Sequence, residues 1–254
     1  MNARDFTVTK IRVAIIVYQT LFIVVLIYVI SIIPIKEISR NNPMALQIAH
    51  FILGPIENNT YLIFEDVRKD AMVIDPSFGI DPLIQFCRQK SLIIQQILIS
   101  HAHFDHIAGV NPLILASPNK PLIGLHQEDL ALWKDRGEAL QFGFQHEPLP
   151  DPDHFFSDGE ILNASGFTVT VHHTPGHSPG HVVFSLPEIK TIFTGDVIFA
   201  GGIGRTDLTG SDQTLLIDSI QRKILVSTDD TRLLPGHGPE TTVGFERHNN
   251  SFLN

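Results

Sequence analysis

Cysteine is almost missing from this chain: Cys87 is the only one in 254 residues, which excludes an intrachain disulfide and any metal site built on several thiolates. Its setting, DPLIQFCRQK, has the spacing of a helix with Cys87 on the apolar side, so the thiol reads as a small core hydrophobe. Basic side chains are also scarce, 18 Lys and Arg against 27 Asp and Glu. Residues 1–43 hold five of the former and two of the latter, so the remainder is more acidic still. An acidic body without a basic stripe makes a poor partner for nucleic acid or an anionic lipid surface, and neither is expected. No short-period repeat and no low-complexity segment is present. Disorder is excluded in turn by a hydrophobic content of 43%, ordinary for a folded enzyme.

Two features stand out against these absences. The first is an uncharged apolar run, VAIIVYQTLFIVVLIYVISII at residues 13–33, whose length as a helix matches a bilayer core of about 30 Å. It is too long for the core of a signal peptide, and no small-residue cleavage site follows it. The expectation is a transmembrane helix over 13–33 inside an N-terminal extension, residues 1–43. A second reading makes Met44 the start of translation and 44–254 the whole protein. Flanking charge leaves the orientation of a single-pass anchor open, because Arg4, Lys10 and Arg12 precede the run and Lys36 and Arg40 follow it. The second feature is histidine, 13 in all, concentrated in SHAHFDH at residues 100–106.

From Met44 onward short strands alternate with helices. LQIAHFIL, NTYLIFED and AMVID read as strands, IDPLIQFCRQK as a helix, and IIQQILIS as a strand that delivers the histidine loop. The second half repeats the mixture, with strands GFTVTVHHT, HVVFSLP, KTIFTGD and TRLLPG, a helix in SDQTLLIDSIQRKIL and a last one near TTVGFER. This alternation predicts an α/β fold with helix-covered sheets. The less regular acidic stretch between them, residues 127–156, reads as a lid or substrate-contacting insertion.

His101, His103, Asp105 and His106 follow a continuous apolar strand, where a rigid scaffold can hold metal donors open to substrate. Imidazole and carboxylate donors without thiolate suit zinc, iron or manganese in a catalytic rather than a closed structural site. Four donors on one loop exceed the need of one open site, so two metals are expected. Further strand ends add His177 in TPGHSPGH, Asp196 in FTGD and His237 in LLPGHGP.

The series VIDPS, HAHFDH, TPGHSPGH, TGD and LPGHGP resembles the metallo-β-lactamase superfamily, over about residues 45–254. Within it, TGDVIFAGGIGRTD and the ending GPETTVGFERHNNSFL look most like the compact bacterial glyoxalase II-like hydrolases. The resemblance implies a four-layer αββα sandwich with metals at one edge. It places His101, His103 and His177 on a first metal, and Asp105, His106 and His237 on a second. Asp196 bridges them, while Asp75 and His181 brace the ligands from behind. Two divalent ions, zinc before iron or manganese, would serve hydrolysis of a small-molecule acyl-thioester of the S-lactoylglutathione kind, with Asp105 orienting the attacking water. Such a substrate implies the cytoplasm if translation starts at Met44.

Full-length glyoxalase II enzymes carry a C-terminal helical domain that supplies part of the glutathione site, and the sequence here ends soon after His237. Arg205 matches a substrate-binding cation of those enzymes, but Asp207 stands where they have tyrosine. Arg205 therefore either holds a substrate carboxylate or pairs with Asp207. Three rival activities share the motifs: a persulfide dioxygenase with one iron on His101, His177 and Asp196, a lactonase or other esterase, and a membrane-tethered binding domain. The remaining histidines, His50, His126, His146, His154, His172, His173 and His248, read as packing or surface residues.

Overall fold

Residues 58–65, NNTYLIFE, are buried along their whole length, as expected of a strand covered on both faces rather than one. They form β4 (Asn58–Glu65), near the middle of an eight-stranded sheet. The computed structural model describes residues 10–14, 27–33, 46–164 and 167–253. The first sheet runs in chain order: β1 (Lys10–Ala14), β2 (Ile27–Ile33), β3 (Leu46–Leu53), β4, β5 (Asp70–Ile74), β6 (Ile93–Leu98), β7 (Leu122–His126) and β8 (His154–Phe156). It is antiparallel as far as β5 and parallel from β5 to β8.

The second sheet comprises β9 (Ile161–Ala164), β10 (Phe167–His173), β11 (Val182–Leu186), β12 (Thr191–Gly195), β15 (Arg232–Pro235) and β16 (Thr241–Thr242). A separate short hairpin, β13 (Ile198–Phe199) and β14 (Gly202–Ile203), follows β12. In the six-stranded sheet only β12 and β15 pair in parallel. Helix α1 (Asp81–Lys90) connects β5 to β6. The short helices α2 (Phe104–Ile107) and α3 (Val110–Ala116) follow β6, α4 (Leu130–Lys134) follows β7, α5 (Gln213–Ser219) precedes β15, and α6 (Val243–Asn249) ends the fold.

Three apolar clusters fill three interfaces. Tyr61, Ile63, Met72 and Ile74 of the first sheet meet Val169, Val171, Phe184 and Phe193 of the second. Leu62, Phe64 and Val73, one residue out of step on the same strands, face Leu83, Phe86 and Cys87 of α1. On the outer side of the second sheet, Val183, Ile192 and Leu233 pack on Leu216, Ile220 and Val243. The period-two alternation thus sorts each strand between two cores, and each fully buried Leu, Ile or Phe adds roughly 1.5–3 kcal/mol. The result is an α/β sandwich of two mixed sheets. Cys87 sits in this core as expected, and burial pushes its thiol from 9.0 up to about 12.

Two expectations need correction. The helix expected over 13–33 does not appear in its described part: residues 27–33, IYVISII, form β2, which pairs antiparallel with β3, and 13–14 end β1. Residues 15–26 lie outside the described residues. Among the described residues no helix is long and apolar enough to cross a membrane. The physical reason is composition, since the run is rich in β-branched Ile and Val, which favour strand as readily as a lipid-facing helix. The expected lid over 127–156 is in large part scaffold. Trp133 is buried and its Nε1 donates to Pro150 O at 2.9 Å, and residues 154–156 are β8, inside the first sheet's hydrogen-bonded order.

Candidate metal centre

After β6 ends at Leu98 and the buried Ile99 follows, the chain leaves the sheet and turns into a loop at the same edge as the ends of β5, β10, β12 and β15. The first turn after the strand places His101, His103, Asp105 and His106 together, all buried. His103 is extended (φ −70°, ψ 151°) and Phe104 begins α2, so the donors before and after this change of backbone diverge onto two sides. The β10–β11 connection adds His177, whose Nε2 lies 2.9 Å from His103 Nδ1. His237, after β15, brings its Nε2 to 3.0 Å from Asp105 Oδ2.

Three overlapping groups have their donor atoms within 4.8 Å of one another: His101 with His103 and His177, Asp105 with His106 and His237, and, behind these, Asp75 with His101 and His106. Asp196, directly after β12, faces the first two. Its carboxylate lies 3.5 Å from His106 Nε2 and 3.7 Å from the Nε2 atoms of His177 and His237. All seven expected donors are thus brought to one place.

Four of the five imidazoles are held from behind by one nitrogen and present the other inward. His101 Nδ1 donates to Ser100 Oγ at 3.0 Å, His106 Nδ1 to Asp75 Oδ2 at 3.0 Å, His177 Nδ1 to Arg205 O at 2.8 Å and His237 Nδ1 to Ile56 O at 3.2 Å. Such anchoring fixes ring orientation and tautomer, which is how proteins prepare histidines for a metal. Asp75 braces as expected, accepting also from Ser100 N at 2.7 Å and Ser100 Oγ at 2.6 Å, from a left-handed backbone (φ 51°) that a non-glycine residue adopts at a cost. His181 stacks on His101 and its Nε2 accepts from Asp196 N at 3.1 Å.

Several supports were not foreseen. Asp129, wholly buried, accepts from Ala102 N at 2.9 Å, Ser178 Oγ at 2.7 Å and Gly180 N at 2.6 Å, and so ties the His101 loop to the His177 loop. Asn59 Nδ2 donates to Pro235 O at 2.9 Å and Gly238 O at 2.8 Å, fixing the His237 loop. Gly137 lies against the metal loop itself: a Cβ there would sit 2.2 Å from Phe104 N, and its φ of +64° suits glycine in any case. The only sequence signal for these was turn-forming composition, which says nothing about what a turn will touch. Arg205, left open between two roles, has its guanidinium on Asp207, Nε to Oδ1 at 2.7 Å and an Nη to Oδ2 at 2.8 Å. What it gives the site is its backbone carbonyl.

The electrostatics call for cations. Burial, and then the neighbouring imidazoles, hold His101 well below its ordinary value, and burial followed by His177 lowers His103 to about 3. His177 is lowered mainly by burial. His106 moves the other way: burial opposes its charge, but the carboxylates of Asp105 and Asp196 outweigh it and raise it well above normal. Asp105 and Asp196 lie below the usual carboxylate range, held there against burial chiefly by His106. Among the described residues, histidines are the only ion-pair partners of Asp75, Asp105 and Asp196. His101 Nε2, His103 Nε2 and Asp196 Oδ1 are buried with no hydrogen-bond partner, which is costly for a polar atom. Inward lone pairs, unpaired buried acceptors and surplus negative charge together fit a pair of divalent metals.

Two mixed sheets packed face to face, with a histidine and aspartate centre at their strand ends, define an α/β sandwich metalloprotein. The sequence matches the metallo-beta-lactamase superfamily over residues 53–237, and the chain belongs to that superfamily. It is 39% identical over 200 residues to hydroxyacylglutathione hydrolase GloC of Haemophilus influenzae, covering 78% of this chain and 93% of the relative. It is 37% identical to the probable metallo-hydrolase YqgX of Bacillus subtilis, covering 80% and 95%. Similar solved structures include TTHA1623 in a di-iron-bound form, with TM-score 0.72, 38% identity and coverage of 80% and 98%. The BLEG-1 B3 metallo-beta-lactamase gives TM-score 0.76 and 36% identity over 82% and 99%.

Proposed function

We propose that this protein is a metal-dependent hydrolase of acyl-thioesters, with a substrate of the S-lactoylglutathione type. The observation that carries the reading is the position of Asp196, within 3.7 Å of imidazole nitrogens from both donor groups, as a carboxylate shared by two ions would be. In this reading His101, His103 and His177 hold the first metal, and Asp105, His106 and His237 the second. Two divalent ions, with zinc first and iron or manganese as alternatives, would supply Lewis acidity and a water of pKa near 7. Asp105, hydrogen-bonded to His237 at 3.0 Å, would help hold the second metal and orient such a water. A thioester suits the site because thiolate leaves without a strong general acid. Identity to GloC over nearly its whole length supports the glutathione thioester.

The one-iron dioxygenase reading uses only His101, His177 and Asp196, and leaves His103, Asp105, His106 and His237 preorganised to no purpose. A β-lactam substrate has a specific observation behind it, the likeness to BLEG-1 at 36% identity. A glutathione substrate would place the catalytic body in the cytoplasm. The test is turnover of S-lactoylglutathione, with a chromogenic β-lactam alongside, by protein loaded with zinc, iron or manganese and by a chelated control. Metal-dependent thioester hydrolysis is expected; a metal-loaded protein inert to the thioester would sink the reading.

A further inference from the structure

Outside the catalytic centre, a second histidine cluster lies where the ends of β7 and β10 meet. We infer that His126, Glu128 and His173 form an additional site for a zinc-like divalent ion, which clamps these two strand ends from the solvent side. The three residues offer two imidazole nitrogens and a carboxylate oxygen within 4.8 Å of one another, the same closeness found in each donor group of the catalytic centre. Two histidines and a glutamate with one position left to water is an established zinc donor set.

The surroundings favour a cation. Glu128 Oε2 lies 3.8 Å from His173 Nε2, and this is the only ion pair of Glu128 among the described residues. The two imidazoles stack at 4.0 Å between centroids and 16° between planes, a spacing at which two imidazolium ions would repel. Burial and the nearness of His173 lower His126, and its Nδ1 accepts from Glu128 N at 3.4 Å, so Nε2 is the nitrogen left to face an ion. The backbone N of His173 donates to Asp158 Oδ1 at 2.9 Å, which fixes its main chain, and its Nε2 donates to Pro179 O at 2.9 Å, a bond the ring gives up when it turns onto an ion. Asp158 is itself held by Lys223 at 2.7 Å. All three side chains reach solvent, so the rings can turn out of their stack to bring three donors onto one ion with bonds of about 2.0–2.2 Å.

The location gives the ion a role. His126 and Glu128 lie in the segment that holds Asp129, and His173 lies four residues before His177. An ion here would join, from outside, the same two segments that Asp129 joins from inside through Ser178 and Gly180. It would steady the His177 loop without touching the catalytic donors.

The experiment is equilibrium dialysis of the full chain against zinc, with metal counted per chain. The native protein is expected to hold three ions, and His126→Ala/His173→Ala two, with S-lactoylglutathione turnover retained at saturating zinc. Glu128→Gln, a mild change at an exposed side chain, should weaken the third ion at least tenfold if the double variant folds poorly. Zinc added beyond two equivalents should raise the melting temperature of the native protein but not of the variants. Two ions in the native protein, or three in every variant, would overturn the inference.

Discussion

Asp196 and Asp129 are both buried aspartates, yet they are expected to fail differently. On the proposed reading Asp196 is a donor shared between two groups, so Asp196→Ala should remove most of the metal and lower kcat by well over 100-fold, more than the roughly 10–100-fold cost typical of an outer brace. Metal content and thioester turnover measured on the same preparation check this; retention of both would dismiss the bridging role. Asp129 has no donor duty. Asp129→Asn keeps the shape but turns one acceptor into an amide that cannot receive from Ala102 N, Ser178 Oγ and Gly180 N together. Metal affinity should fall by about 10–100-fold with circular dichroism unchanged, and excess zinc should restore activity. The clustering of the seven candidate donors was legible because each stands beside a strand-end motif. Asp129 and Asn59 were not, because their importance lies in contacts with residues 27 to 179 positions away, and no local spacing records those. Arg205 was half legible: its charge suggested a substrate contact, while the two-residue separation from Asp207 already allowed the pair that forms.

Elements with a clear apolar period were read correctly, since burial on one or two faces sets the period. α1 illustrates the rule, with Leu83, Phe86 and Cys87 turned into the core. Its thiol offers a check on that burial. Raised to about 12, it stays protonated in the folded chain at pH 8, so a thiol-specific disulfide reagent should react with Cys87 only as fast as the protein unfolds. The sign for stability follows. An unfolded thiol ionises near 8.5, so this group's contribution is complete below that pH and is lost as pH rises towards 12. Immediate labelling of the native protein would place Cys87 at the surface instead. Where burial gives no single period the reading failed, as in 127–156, whose short helical turns and β8 are held by tertiary contacts such as Trp133 to Pro150. The loop after β15 depends on space rather than period: a Cβ at Gly236 would lie 2.3 Å from Asp196 Oδ1 and 2.7 Å from His106 Cε1. Gly236→Ala should therefore displace a shared donor and reduce bound metal while the sheets remain intact, measurable as metal per chain against far-ultraviolet dichroism. Full metal occupancy in that variant would show that the loop can yield.

For the molecule as a whole, the site is a local excess of negative charge and unpaired acceptors that the three apolar clusters must hold together. Those clusters and every catalytic donor fall within residues 46–253, so metal binding to this body is coupled to its folding. An ion that binds only the folded chain adds RT ln(1 + [M]/Kd), about 4 kcal/mol per site at a thousandfold excess over Kd. For a domain of this size each kcal/mol shifts Tm by about 2–4 °C. Chelation should therefore lower the melting temperature by about 8 °C or more, and readdition of zinc should restore it. The same titration on Asp196→Ala should give a much smaller rise, because the His101 and His106 groups lose the carboxylate that joins them. A chelated native protein that melts where the loaded one does would mean that the clustered histidines and aspartates satisfy one another without metal, and the hydrolase reading would fall with the centre it needs.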